Sequence, residues 1–173
     1  MATAETIREI TERNIKFLSV RPERGHLTGV TTARIEEGLR CVIEDGQWKF
    51  AADMPIKAGG DETAPTPGVF GRGALASCLA MCIAAWAARL EVPIDALEVE
   101  VRAPFDARGE LGMDDSISPG YEEVRYVISI ESPASENAVA ELLATAERYS
   151  PYVDVFARGQ IMKRTLRLNG EEV

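Results

Sequence analysis

The chain carries three cysteines, Cys41, Cys78 and Cys82, and a single histidine, His26. Two of the thiols stand four apart in GALASCLAMC (73–82), among residues that are all small or apolar. Such thiols can be a nucleophile and its helper, metal ligands, or packing. On a helix, residues four apart share a face. Their Cβ atoms then lie ~6 Å apart, beyond the ~3.5–4.5 Å that a disulfide wants. The pair is not expected to close on itself. A metal needs three or four converging ligands. The sequence has no CxxC pair and His26 is remote, so no metal and no other cofactor is expected. A Cys–His dyad would have to use His26, and no spacing fixes that pairing.

Cys78 has two readings. To react, a thiol needs a nearby cation, a base or a helix N-terminus to form thiolate. A helix beginning at Pro67 places Cys78 about three turns in, at ~3.6 residues per turn. The helix dipole acts mainly on the first turn. An arginine from a neighbouring element would then have to supply the charge. The other reading is burial as a small hydrophobe. Cys41 alternates with Leu39 and Ile43 and reads as a core cysteine.

The 173 residues suffice for one domain with a real core. Hydrophobic residues make up 46% and charged residues 27%, as in soluble globular proteins. A net charge of −9 argues against nucleic acid and anionic membrane as partners, since both favour a basic face. Met1 to Arg13 is polar and charged and does not read as a secretory signal. Gly73 to Ala88 is uncharged but short and alanine-rich for a membrane span. Three thiols are no disulfide framework, which suggests a cytoplasmic, reduced protein.

Around the thiols, apolar spacing predicts the elements. Residues 4–18 read as a helix, with Ile7, Ile10, Asn14 and Leu18 on one stripe and Arg8, Glu9, Glu12 and Arg13 outward. Residues 28–54 read as a meander of two or three strands, with EDG (44–46) at a hairpin turn. Thr66 and Pro67 read as an N-cap hydroxyl followed by a first-turn proline. From there to Leu90 the helix is apolar on every side, so it is expected to be buried all round, at the centre of the fold or of a dimer. Strands are expected at Leu97–Val101 and Val124–Ile130, with a long loop over 104–120 between them. A helix follows from Ser135, with Val139, Leu142, Leu143 and Ala146 inward. Ser150-Pro151 breaks it, and Met162–Leu168 reads as a last strand. Runs of strands broken by helices indicate an α+β fold.

PTPGVFGRGALASCLAMC (65–82) resembles the entry to the central helix of the OsmC/Ohr family of thiol-dependent hydroperoxide reductases. Pro65, Thr66 and Pro67 match that family's P-S-P-like turn, and Ala74 to Cys78 its apolar A-A-x-G-x-C-like segment. WAARLEVPIDALEVEV (86–101) and YEEVRYVISIESPASENAVAELLATAERYSP (121–151) are similar to the elements that follow. The resemblance spans roughly residues 27–168 as a single OsmC-like domain, with residues 1–20 an added N-terminal helix. It implies antiparallel strands with long central helices in an intertwined homodimer. It also implies a chemistry: a cysteine thiolate reduces an organic hydroperoxide, a second cysteine forms a disulfide with it, and a dithiol resets the enzyme. An arginine and a glutamate beside the thiol complete the family's set.

Carried over position by position, Cys78 matches the attacking cysteine. Ser150 stands where the second cysteine is expected, and Val69 near the expected glutamate. The arginine belongs to the first hairpin, where Arg34 is a better candidate than Arg40. Cys82 is not a family position. Trp86, two turns beyond Cys78, is a core aromatic or the wall of an apolar pocket over the thiol. Tyr149 and Tyr152 line the same pocket or pack. Asp114 and Asp115 read as solvated charges, and Arg72 as a surface or interface residue near the pocket entrance. The expected activity is one-cysteine reduction of organic hydroperoxides by Cys78 with Arg34, over a pocket of Cys82, Trp86, Tyr149 and Ser150, with an external thiol as reductant. The alternative is a catalytically silent OsmC-like protein that binds a small apolar ligand at the dimer interface.

Overall fold

The thiol-bearing segment forms one long helix because its alanines and leucines outweigh the three glycines near its start. The computed structural model describes residues 2–173, and in it α2 runs from Pro67 to Leu90. Seven alanines in these 24 residues favour helix strongly. Pro67 occupies the first turn, where its missing N–H costs nothing. Glu91 ends the helix in a left-handed conformation, φ 56°, with its N–H on the Ala87 carbonyl. Thr66 is the N-cap residue, but its hydroxyl makes no capping bond; its carbonyl accepts from Val69 N–H at 2.9 Å.

Leu75, Leu79, Ile83 and Ala87 repeat every four residues and are buried, Leu79 and Ile83 completely. The opposite face is open. Gly73, Ser77, Met81 and Ala84 are exposed, Met81 by 66%. The expectation of burial on every side therefore holds for one side within a single chain.

That side is covered by elements that follow α2 in sequence. β4 (Ala96–Arg102) and β5 (Arg125–Glu131) pair antiparallel, with Val99 opposite Ile128. Alternation turns Leu97, Val99, Tyr126, Ile128 and Ile130 onto the core and charged residues outward, as the sequence pattern requires. α4 (Glu136–Arg148) is capped by the Ser135 hydroxyl, which accepts from Ala138 N–H at 3.3 Å. It buries Leu142 and Ala146 against Leu79, Ile83 and Ala87. α5 (Pro151–Ala157) continues after a break at Tyr149-Ser150. The 104–120 loop contains one helical turn, α3 (Ala107–Glu110), and is closed by a bridge between Phe105 and Tyr121.

Before α2 lies the meander: β1 (Thr32–Glu37), β2 (Arg40–Asp45) and β3 (Trp48–Ala52). Gly38 and Gly46 carry the two hairpins at φ 54° and 55°, where a side chain would be strained. Every residue of β1 is exposed. Val42, not Cys41, is the residue that β2 buries. Val42 sits mid-strand between Arg34 and Ala51, whereas Cys41 lies beside the register shift after Ile35 and is half-buried.

The ends differ most from expectation. α1 (Ala4–Val20) is capped by Thr3 and packs on α2, yet buries none of its residues. Ile10, Phe17 and Leu18 remain 38–48% exposed. Arg8, expected outward, is half-buried and ion-paired to Glu91 at the end of α2. The predicted strand over 162–168 shrinks to β6 (Arg167–Leu168), paired with β7 (Glu171–Glu172) across an Asn169-Gly170 turn. A strand needs a neighbour to satisfy its backbone. Residues 158–166 find none among the described residues, and Ile161 and Met162 are almost fully exposed.

Candidate thiol site

The loop that delivers α2 is held by a buried carboxylate that the sequence pattern did not single out. Asp53, at the end of β3, is 1% exposed. Its carboxylate accepts from Thr63 N–H at 3.0 Å, the Thr63 hydroxyl at 2.7 Å and Met54 N–H at 2.8 Å. These bonds, first the Thr63 N–H, hold its pKa below the ordinary aspartate value. The Arg40 guanidinium donates to the Thr63 hydroxyl at 2.7 Å, and Asp53 N–H donates to the Pro65 carbonyl at 3.2 Å. The chain is thus clamped two residues before Pro67. Gly60 lets it pass: a Cβ there would stand 2.0 Å from the Met54 carbonyl oxygen.

Four of the residues expected at the pocket meet across the junction of α2 with α4 and α5. Cys78 Sγ lies 3.8 Å from Ser150 Oγ, a long contact at the limit for sulfur. Ser150 is 1% exposed and caps α5, its hydroxyl accepting from Val153 N–H at 3.5 Å. The Ser-Pro pair read as a helix breaker is therefore also a helix start. One turn along α2, Cys82 Sγ–H donates to the Ala146 carbonyl at 3.4 Å. Burial, and then the neighbouring Cys78, push the Cys82 thiol above its ordinary pKa. A further turn along, Trp86 stacks on Tyr149 with centroids 5.2 Å apart and planes 23° from parallel. The Arg89 guanidinium covers the Trp86 ring at 3.7 Å, and Arg148 lies over Tyr149. Trp86 is half-buried in the core cluster, while Tyr149 remains 55% exposed.

Other expected partners lie elsewhere. Arg34 is on the exposed β1 strand, ion-paired to Glu44 at 3.0 Å. No hydrogen bond links it to Cys78 among the described residues. Glu44 also holds Lys49, and the Arg34 bond leads in keeping its carboxyl below the ordinary range. Val69 is in the first turn of α2 and 46% exposed. Arg72 is half-buried and donates to the Tyr121 hydroxyl at 3.5 Å, so it is tied to the loop. Tyr152 is 41% exposed on α5. Asp114 accepts from Ser116 and closes a turn of the exposed loop. No cluster of three metal-ligating side chains occurs among the described residues.

A groove of about 440 Å³ opens one turn toward the N-terminus of α2 from the thiol. Leu75, Tyr126, Val153 and Phe156 supply its apolar walls, and Glu122 and Glu123 its acidic side. Leu75 precedes Cys78 by three residues, and Val153 is the residue whose N–H the Ser150 hydroxyl accepts. The Tyr126 hydroxyl donates to Glu147 at 2.9 Å; burial, then Glu147, raise its pKa. No sequence motif marks this groove, because its walls come from α2, β5 and α5.

The arrangement offers a half-buried thiol beside a buried hydroxyl, with an apolar recess one turn away. Comparison with known proteins agrees with the fold around it. No curated relative matches the sequence. Among solved structures, an OsmC-like protein from Mycoplasma pneumoniae is similar at a TM-score of 0.65 and 17% identity, over 76% of this chain and 88% of that one. An osmotic stress induced and detoxification response protein from Psychrobacter arcticus is similar at 0.57 and 20%, over 75% and 90%. An organic hydroperoxide resistance protein OsmC from Legionella pneumophila is similar at 0.53 and 19%, over 74% and 88%. At these identities the likeness establishes the fold alone. The family model described as OsmC-like protein matches residues 59–163, from the clamped loop through α2, the β4–β5 pair, α4 and α5; the chain belongs to the OsmC-like family.

Proposed function

We propose that this protein reduces organic hydroperoxides through Cys78 by a one-cysteine mechanism. The observation that carries the reading is the pairing of a half-buried Cys78 with Ser150, at 3.8 Å, one turn from a groove with apolar walls and an acidic side. The Cys78 thiolate attacks the outer peroxide oxygen. The O–O bond breaks, the sulfur becomes sulfenic acid, and the alkoxide takes a proton to leave as alcohol. A hydroxyl cannot form a disulfide, so Ser150 does not resolve the sulfenic acid. An external dithiol does: its first thiol displaces water to give a mixed disulfide. Its second thiol releases Cys78 and leaves the reductant as a cyclic disulfide. Without that partner the sulfenic acid is exposed to further oxidation. The solved Legionella relative is described as an organic hydroperoxide resistance protein, which supports the substrate class.

The setting is a cytoplasmic homodimer in which the open face of α2 meets its counterpart. Arg34 of the meander is the candidate to stabilise the thiolate there, on exchanging its ion pair with Glu44 for the sulfur. Residues 1–20 are an extension whose helix, α1, packs on α2 and braces the same interface. The net charge of −9 fits neither nucleic acid nor an anionic membrane as partner.

A second reading is a silent OsmC-like protein that holds a small apolar ligand beside Cys78. The presence of Val69 rather than a carboxylate in the first turn of α2 favours it. Intact mass after one equivalent of cumene hydroperoxide, for the wild type and Cys78→Ser, separates the two. Gain of one oxygen that requires Cys78 and is reversed by dithiothreitol supports the peroxidase. No gain over minutes leaves the binding protein.

A further inference from the structure

The peroxidase reading uses one thiol of α2 and leaves Cys82 without chemistry. Yet Cys82 lies one turn beyond Cys78 on the same side of the helix, facing the α4–α5 junction. Both thiols are free and half-buried. The helix between them is fixed by Leu79, which is completely buried. Two sulfurs are therefore presented side by side on a rigid element, neither consumed by a strong bond within the chain.

What could such a pair hold? Direct S–S bonding demands ~2.05 Å between sulfurs and ~3.5–4.5 Å between Cβ atoms, against ~6 Å for helix positions four apart. An atom inserted between the sulfurs removes that conflict. Zinc needs three or four donors, and no third histidine, cysteine or carboxylate joins the pair among the described residues. A bridging group that is complete with two thiolates is required. The surroundings add a second condition. Leu79, Trp86 and Ala146 make them apolar, and a neutral adduct avoids burying charge there.

We propose that Cys78 and Cys82 form a dithiol site for a monosubstituted trivalent arsenical. Arsenic carrying one organic group meets both conditions: it takes two thiol sulfurs and the product is neutral. Reaction with an organoarsine oxide balances without redox change. The two thiols lose their protons, the oxide oxygen leaves with them as one water, and two arsenic–sulfur bonds replace the arsenic–oxygen bond. Because the helix already holds both sulfurs, the second bond forms within the molecule. It should strengthen retention by about 100-fold or more over one thiol. The inference is independent of the peroxidase reading, as it involves no oxidation of Cys78.

The test uses the full chain and phenylarsine oxide. The native protein is mixed with one equivalent, challenged with excess 2-mercaptoethanol, then alkylated with iodoacetamide and digested with trypsin. Cleavage after Arg72 and Arg89 isolates both thiols on peptide 73–89. The expected result is an adduct of one arsenical per chain that survives the monothiol, is removed by 2,3-dimercaptopropanol, and protects Cys78 and Cys82 while Cys41 is alkylated. Cys82→Ser and Cys82→Ala should each lose retention about 100-fold, with melting curves reporting that they fold. An adduct stripped by 2-mercaptoethanol from the wild type, or one retained equally by a folded Cys82 variant, overturns the proposal. The wild-type alkylation pattern decides it even if both variants fail to fold.

Discussion

The helix–sheet body built on α2 and the three-stranded meander before it are opposite solutions to covering apolar surface. α2 finds its cover in β4, β5, α4 and α5, and buries Leu79, Ile83, Leu142 and Ala146 completely. The meander pairs its own strands and stays open: β1 is exposed throughout, and Trp48 and Phe50 are 67% and 41% exposed. It is tied to the rest through Phe50 on Phe70, 5.4 Å between rings, and through the Asp53–Thr63 clamp. One region is finished within the chain. The other, like the open face of α2, leaves apolar side chains uncovered within the chain.

The sharpest break between the regions should come from the core. Leu79→Ala leaves a cavity in the closed body and is expected to cost about 2–5 kcal/mol in urea unfolding. A loss below about 1 kcal/mol would mean that the body is looser than its burial indicates. Met81→Glu, on the open face of the same helix, should barely change the stability of a lone chain. In the proposed dimer it places two charges at the interface, so light scattering should report monomer. Deletion of residues 2–20 should weaken the dimer in the same assay, and an unchanged dimer would remove α1 from the interface.

The connection between the regions can be tested by pH. Asp53 has a lowered pKa in the folded state, so the unfolded chain binds its proton first as pH falls. Its contribution is fully present above the unfolded value of about 3.9, and is lost as pH drops through the lower folded value. Asp53→Asn should therefore melt earlier than the wild type at neutral pH, with the gap closing below about pH 4. A gap independent of pH would show that shape rather than charge holds the clamp.

Two smaller effects concern the thiol junction. Ser150→Cys puts a second sulfur beside Cys78. One equivalent of cumene hydroperoxide should then join Cys78 to the introduced thiol as a disulfide, read as loss of two hydrogens. The lost cap should cost about 1 kcal/mol. Oxygen gain without disulfide would mean that the junction is too rigid to close. Tyr149→Ala removes the stack on Trp86 and should cost about 0.5–1.5 kcal/mol, with a change in tryptophan fluorescence.

The same contrast explains what can be read from the residues. Elements that cover one another within the chain announce themselves by period. Leu97, Val99 and Val101 alternate, and Val139, Leu142, Leu143 and Ala146 repeat, as observed. The pairing of Cys78 with Ser150 is legible only through family resemblance, since 72 residues separate them. Asp53 reads as the polar partner in an alternating strand, because its burial by Thr63 and Met54 comes from a loop with no pattern. The segment 162–168 alternates correctly, but among the described residues only Arg167 and Leu168 find a strand to pair with. Alternation reports which face is apolar, not whether another strand is available to pair.

The order of elements along the chain also sets a schedule for its synthesis. Each strand of the meander meets its partner within a few residues, so that sheet can form while α2 is still being made. α2 has α1 before it and β4 close behind, but the rest of its cover comes later. Leu142 and Ala146, which seal its core face, emerge more than fifty residues after Leu90. At about 5–20 residues per second, one of the most apolar segments waits only partly covered on the ribosome for several seconds. The newborn chain is most vulnerable to aggregation in that interval, and a holdase chaperone would have its natural footprint on α2.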